Sequence, residues 1–515
     1  MPLFEVTLLL LAIAVVLMQA ARYLRVPYPA LLALVGGCAT ALPFAPHLTI
    51  EPRLALALFV APAVMDTAFE LPPRELMRNW VPLVSLAVLL VLVTTAVVAW
   101  VGVTFGGLTA AAGIALGAIV APPDAAAAAA VLSEFDLPRR AMAVLQGESL
   151  LNDAVALLAF GIAVSAATIP GASLAPLVPP LLIAVPGGIF VGLLVGVVGT
   201  RLLKTVAGTL SAIIAQFLLT FGTWILAAHL DFSPILAVVA LAAVAAREMP
   251  KRTNARDRIN SNAVWSTVTF VLNVLAFLLM GLQARAIVTG MRDEALSHAL
   301  AFAGLVLAAV ILVRIVWVMA YGLAIRRFRS YFEKRTVRGT VPDARVGILV
   351  SWCGMRGLVT LATALALPAG FPHREEIVLS AFTVVLGTLV LQGFTIRPLI
   401  AWLGIPKDDS LDQEIAATRR EMLDAGLEAL SREPGALADQ VRAEFATARA
   451  ASVDRARPDT PQDAMRRTAL KAERALLIDW RQQGRIPDDV YHRLEDELDR
   501  RELEVTSSGA TWLEV

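Results

Sequence analysis

Few ionisable residues fall inside the apolar segments of this chain: Asp66, Asp124, Glu148, Asp153, Arg314 and Arg356. A charge deep in a lipid-spanning segment is costly, so such residues are rare and usually functional. Asp153 closes the stretch GESLLND, where helical spacing sets Ser149 above Asp153 and Glu148 above Asn152, each pair at i, i+4 on neighbouring faces. Asp124 follows Pro122 and Pro123, which remove two backbone donors and disfavour helix before them, so the segment should open there and free carbonyls such as that of Pro123. Arg356 stands between Gly354 and Gly357, which leaves its backbone free to unwind as well. The carboxylates of Asp153 and Asp124, the Ser149 hydroxyl and the freed carbonyls make an oxygen set suited to a hard cation such as sodium. Protons compete for the same oxygens, because desolvation favours the neutral form of a buried carboxyl group.

A purely structural account of these groups stands beside the chemical one. Glu148 could bridge to Arg356, and Arg314 to Asp66 or to a carbonyl, with no ion involved. That account suits Glu148, Arg314 and Arg356. It suits Asp153 poorly, since the spans hold too few cations to neutralise every carboxylate and the Asn152–Asp153 pair lies beside the opened helix. Asp124 is open to either use, as an ion ligand or as a helix cap. The alanines at 125–130 suit close helix packing.

The elements that must hold these residues are apolar helices. With 57% hydrophobic and 17% charged residues over 515, the chain has more apolar surface than a water-soluble fold could bury. Windows of about 19 residues place spans near 5–22, 28–46, 53–70, 80–103, 109–133, 142–167, 175–200, 209–229, 232–247, 262–284, 297–323, 343–368 and 377–403. No basic region precedes the first apolar run, so that segment is expected to remain as a span. About 20 Lys and Arg occupy one alternating set of loops, from Arg22 to the run ending at Arg345, against about four (Arg53, Arg285, Arg292, Arg374) in the other. Basic loops face the cytoplasm, which puts the N-terminus outside and the C-terminus inside.

The expected fold is an all-α polytopic membrane protein of about 13 transmembrane helices, with an inverted repeat relating spans 1–6 to spans 8–13. The fifth element of each half then carries a break, APPD at 121–124 and SWCGMRG at 351–357, giving two broken helices that cross at the transport site. The spans form one domain, 1–405, and 406–515 a second of different composition. That second piece is a charged helical tail on the cytoplasmic side, with 17 Lys and Arg against 24 Asp and Glu after Gly404. It reads equally as a solvated tail or as a regulatory one.

Other classes fit less well. The basic residues lie in loops without interleaved aromatics, against a nucleic-acid partner. Cys38 and Cys353 sit in apolar stretches and read as packing residues, without disulfide or metal spacing. His47, His229, His298, His373 and His492 fall at span ends, in loops or in the tail, which leaves no buried base, and no phosphate-binding loop appears. An intramembrane aspartyl protease would need its two aspartates as a dyad, in a different setting. A passive channel is the remaining alternative. The chain is expected to be no enzyme and to need no cofactor.

GAIVAPPDAAAA, GESLLNDAVALLAF, FVLNVLAFLLMGLQ, WCGMRGLVTLA and LVLQGFTIRPL follow one another in this order. Together they resemble the cation/proton antiporter-1 family, which holds NhaP-type bacterial antiporters and eukaryotic sodium/proton exchangers, over roughly residues 5–405. The resemblance implies antiport of Na+ (or Li+ or K+) for H+ in sodium transport and pH homeostasis. It implies a homodimer among the lipids of the bacterial inner (plasma) membrane, with a six-helix core moving against a dimerisation domain. By the same resemblance Asp153 carries ion and proton, Glu148 pairs with Arg356, Asn152 and Ser149 support the site, and Asp124 belongs to the crossing of spans 5 and 12. Asn before the carrier aspartate goes with electroneutral exchange. The family commonly has Thr-Asp-Pro at the span-5 break; here Pro123, Asp124 and Ala125 stand there, without the threonine oxygen.

Overall fold

The computed structural model describes residues 3–24, 26–39, 51–70, 77–124, 128, 132, 137–168, 178–209, 211–249, 255–282, 293–327, 343–405, 410–451, 461–483, 485 and 487–505. The described residues are helical or lie in turns and loops, with no strand among them. Two compact units divide the chain at Met1–Pro406 and Lys407–Val515.

The first unit opens with α1 (Leu3–Leu24) and α2 (Tyr28–Ala39). A helix that starts at Pro52–Ala55 widens to a π-helical stretch at Leu56–Val60 and continues as α3 (Ala61–Glu70). Then come α4 (Trp80–Phe105), α5 (Ala110–Val120) and α6 (Arg139–Thr168). After them run α7 (Val178–Leu202), α8 (Ser211–His229), α9 (Pro234–Glu248), α10 (Ala255–Leu282) and α11 (Asp293–Arg327). The unit closes with α12 (Ala344–Trp352), α13 (Leu358–Leu365) and α14 (Arg374–Leu403).

Local chemistry explains several boundaries. Thr109 caps α5 by accepting from the Ala112 N–H, and Ser233 caps α9 ahead of Pro234, whose missing N–H costs nothing at a first helical position. Asp343 caps α12 through the Arg345 N–H at 3.3 Å. α14 stops at Gly404, which takes the left-handed conformation at φ 55° that ends many helices.

Among the described residues, seven helices are long and apolar enough to cross a membrane, and four shorter apolar helices accompany them. They overlap the segments expected from hydropathy. The second expected span is described only as far as Ala39, and of the fifth, beyond its break, only Ala128 and Leu132 are described. Most of the alanine run at 125–130 therefore lies outside the described residues, as do Arg25, Arg74, Lys251, Arg252, Arg285, Arg292, Arg329, Lys334, Arg335 and Arg338, on which the orientation rests.

Two packed cores meet along α6. Val144, Leu145 and Ala163 join a core built with Leu116, Val310, Leu349 and Val385, while Leu150 and Ala154 join a second with Val64, Trp224, Ile235 and Trp265. The helix bearing Asp153 thus runs along the border of two bundles. In the first core α5 and α4 nearly touch: a Cβ on Gly117 would lie 2.4 Å from the Thr95 carbonyl oxygen. Only glycine allows backbones so near, and the dispersion gained by that approach replaces the hydrophobic drive that lipid does not supply.

The second unit holds two helical hairpins, α15 (Ser410–Leu430) with α16 (Ala436–Ala451), and α17 (Pro461–Gln482) with α18 (Asp488–Val505). In the latter, Leu470 and Leu477, seven residues apart, meet Tyr491 and Leu498, also seven apart. Arg474 bridges Asp499 at 2.5 Å and Glu502 at 2.7 Å along the edge of this seam.

Candidate ion-binding site

Both broken helices form among the described residues. α5 ends at Val120, and Ala121–Asp124 leave the helical path where Pro122 and Pro123 withdraw their N–H groups. α12 ends at Trp352, Cys353–Gly357 run non-helically, and α13 resumes at Leu358. The two interruptions cross, and the Asp124 N–H donates to the Met355 carbonyl at 2.7 Å.

A helix that stops inside protein leaves carbonyls unpaired at its end. Arg356 satisfies those of α5: its Nε donates to Val120 O at 3.0 Å and its Nη2 to Ala121 O at 3.1 Å. Its Nη1 turns back to Gly354 O, and its backbone N–H donates to Thr388 Oγ1 at 3.0 Å. A cation at the negative end of a helix is favourably placed as well. The approach is close enough that a Cβ on Gly357 would overlap the Asp124 carboxylate.

The bridge expected between Glu148 and Arg356 is corrected here. Glu148 receives Arg314 from α11, at 2.5 Å from Nη1 to Oε1 and 3.0 Å from Nη2 to Oε2. The reason is geometric: the Arg356 guanidinium is occupied by carbonyls of the break, whereas the flat fork of Arg314 matches both carboxylate oxygens. Arg314 also donates to Val350 O at 3.1 Å, and Gly354 leaves room for its stem, since a Cβ there would meet Arg314 Cδ.

On α6 the two neighbouring faces part company. Glu148 and Asn152 turn inward, fully buried, and the Asn152 amide donates to the Pro123 carbonyl at 3.0 Å, pinning the open turn. Ser149 and Asp153 face a cavity of about 60 Å³ that Asp124 also lines, together with Thr67, Asn273, Phe59 and Val60. The π-helical stretch at Leu56–Val60 turns two of its residues to this cavity, a common use of such widenings. Asp124 and Ser149 also border a smaller compartment of about 10 Å³ beside Gln146 and Cys353.

Asp66 does not join them. It lines a separate cavity of about 580 Å³ with Thr200, Lys204, Gln216, Asp257 and Asn262, one residue and about 100° around α3 from Thr67. Thr67 and Asn273 escaped the sequence reading, which weighed charges above neutral oxygens; the signal for Asn273 was a lone amide in the apolar run FVLNVLAF. Cys353 is buried at the break as expected, whereas Cys38 is exposed. Among the described residues no group of three or more His, Cys, Asp or Glu side chains forms.

Comparison with known proteins agrees with this geometry. A sodium/proton antiporter from Methanocaldococcus jannaschii, solved at pH 8, superposes with a TM-score of 0.61 at 18% identity, over 76% of this chain and all of that one. An uncharacterized Na(+)/H(+) exchanger of Mycobacterium tuberculosis strain H37Rv is 31% identical over 94% of this chain and 92% of its own length. A sodium, potassium, lithium and rubidium/H(+) antiporter of Bacillus pumilus is 30% identical over 79% of this chain and 62% of its own. These are membrane transporters and not enzymes. With residues 8–402 matching the family model described as "Sodium/hydrogen exchanger, transmembrane", the chain belongs to the sodium/hydrogen exchanger family.

Proposed function

We propose that this protein is a secondary antiporter that exchanges Na+ for H+ by alternating access, with cation and proton competing for Asp153. The observation that carries this reading is the cavity of about 60 Å³ shared by Asp153, Asp124 and Ser149 at the crossing of two interrupted helices. It suits a partly dehydrated ion, given that one water occupies roughly 30 Å³ in the liquid. Lithium and potassium are the further ions that the oxygen set admits.

Charge balance supports one cation per proton. Around the crossing stand Glu148, Asp124 and Asp153 against Arg314 and Arg356, which leaves one negative charge when all are ionised. Either one proton or one sodium ion neutralises the group. Both loaded forms then cross the low-dielectric layer without net charge, while the empty form is held back by the cost of moving a bare charge. Asn152, spent on the Pro123 carbonyl, adds nothing to this sum.

The reading places the protein in the bacterial plasma membrane as a homodimer, with the N-terminus outside, the C-terminus in the cytoplasm, and 407–515 as a cytoplasmic tail. It also holds that about 13 helices span the membrane and that spans 1–6 and 8–13 form an inverted repeat.

The test is purified protein in liposomes with an internal pH dye. Added sodium should drive proton movement, the apparent KM for sodium should rise as pH falls, and Asp153→Asn should abolish the response. Full exchange in Asp153→Asn would remove the carrier role from this residue.

A further inference from the structure

The large cavity that holds Asp66 and the small one that holds Asp153 both abut α3 and α10. Along α10 the polar residues Asn262, Ser266, Thr269 and Asn273 are spaced by four, three and four. At 100° per residue all four fall within an arc of roughly 40° on the helix surface. Asn262 and Ser266 line the 580 Å³ cavity, and Asn273 lines the cavity of Asp153. The rise from Ser266 to Asn273 is about 10 Å, and Thr269 is the polar residue between them.

Burial follows the same line. Asn262 is exposed, Ser266 half-buried, and Thr269 buried at 7% exposure. The Thr269 hydroxyl has no hydrogen-bond partner among the described residues. This is unusual for a helical threonine, which ordinarily donates to the carbonyl four residues back, as Thr267 of the same helix does to Ala263 O at 2.8 Å. A buried hydroxyl left unpaired carries a cost. An oxygen of this kind, on a polar stripe joining two cavities, suits a position where a passing ion is bound briefly.

We propose that cations reach Asp153 from the 580 Å³ cavity along the polar stripe of α10, and that the Thr269 hydroxyl is a transit ligand at the narrow step between the two cavities. The proposal rests on the antiport reading above and adds to it a route and a residue. Thr269 binds the travelling ion and takes no part in holding it at Asp153.

Two arms test it in reconstituted protein carrying Cys38→Ala. In the first, Ser266→Cys, Thr269→Cys and, as an off-stripe control, Thr267→Cys are treated with a cationic methanethiosulfonate reagent. Modification at 266 and 269 should stop exchange and be slowed by sodium, while modification at 267 should leave exchange intact. In the second arm, Thr269→Val should raise the apparent KM for sodium about fivefold, the effect of one lost hydrogen bond, and Thr269→Ser should restore it. A role confined to packing would instead shift the melting temperature of Thr269→Val and leave KM in place. The proposal is overturned if Thr269→Val keeps its KM, or if protein modified at 266 exchanges at full rate. Lack of exchange in the unsubstituted protein would overturn the antiport reading itself, and is told apart because it needs no substitution.

Discussion

Glu148 on α6 and Arg314 on α11, 166 residues apart, meet in a two-point ion pair with both side chains only 1% exposed. Through the Val350 carbonyl the same guanidinium reaches α12, so one cation ties three helices beside the break. Removing one partner of such a pair strands a charge in a low-dielectric interior, at a cost of about 3–5 kcal/mol. Arg314→Met should therefore lower the melting temperature of detergent-solubilised protein sharply, and the double variant Glu148→Gln with Arg314→Met should regain part of the loss. Equal melting of single and double variants would show that the pair carries little energy.

Arg356 is set apart by its duties. Its side chain closes the carbonyl end of α5 and has no carboxylate partner among its printed hydrogen bonds. Arg356→Ala is expected to reduce thermal stability at least as much as turnover, and Arg356→Lys to recover little, because one ammonium group cannot reproduce a planar fork. Normal melting with dead transport would assign Arg356 to ion handling instead.

Gly357 offers a steric test of the crossing. A Cβ there overlaps the Asp124 carboxylate, whereas one on Gly347 of α12 meets nothing within 4 Å. Gly357→Ala should abolish sodium-driven proton flux and Gly347→Ala should leave it within about a factor of two, since only a small propensity change is involved. Matching behaviour of the two variants would separate the crossing from transport.

The charge sum around the site leads to a fourth expectation. Exchange by the unsubstituted protein should be insensitive to a potassium–valinomycin voltage clamp. Asn152→Asp adds a negative charge next to Asp153 and exchanges the donor to Pro123 O for an acceptor, so its residual exchange should become voltage-sensitive. A sodium-driven current through the unsubstituted protein would contradict one-for-one exchange.

Helices, breaks and the short list of buried charges were legible before any coordinates. Hydropathy depends on a residue and its near neighbours, so a window finds an apolar helix wherever lipid is its solvent. Proline acts on its own backbone, so Pro122 and Pro123 announced the opening at Asp124. The i, i+4 relation on α6 was readable for the same reason, and it separates Ser149 and Asp153 from Glu148 and Asn152 in the fold.

Partnership was not legible. Glu148 has two arginines within the membrane-spanning unit, and no local rule tells which of them has a guanidinium to spare; that depends on where the ends of α5 and α12 come to rest. The same holds for Asp66 and Thr67, adjacent in sequence yet lining different cavities, because α3 turns about 100° between them and separate neighbours enclose each face. Sequence by itself determined which residues are apolar, where helices must break and which charges lipid cannot solvate. Tertiary structure alone decided which of those charges neutralise one another and which oxygens are left facing a cavity, since both are properties of distances between segments that the chain brings together only on folding.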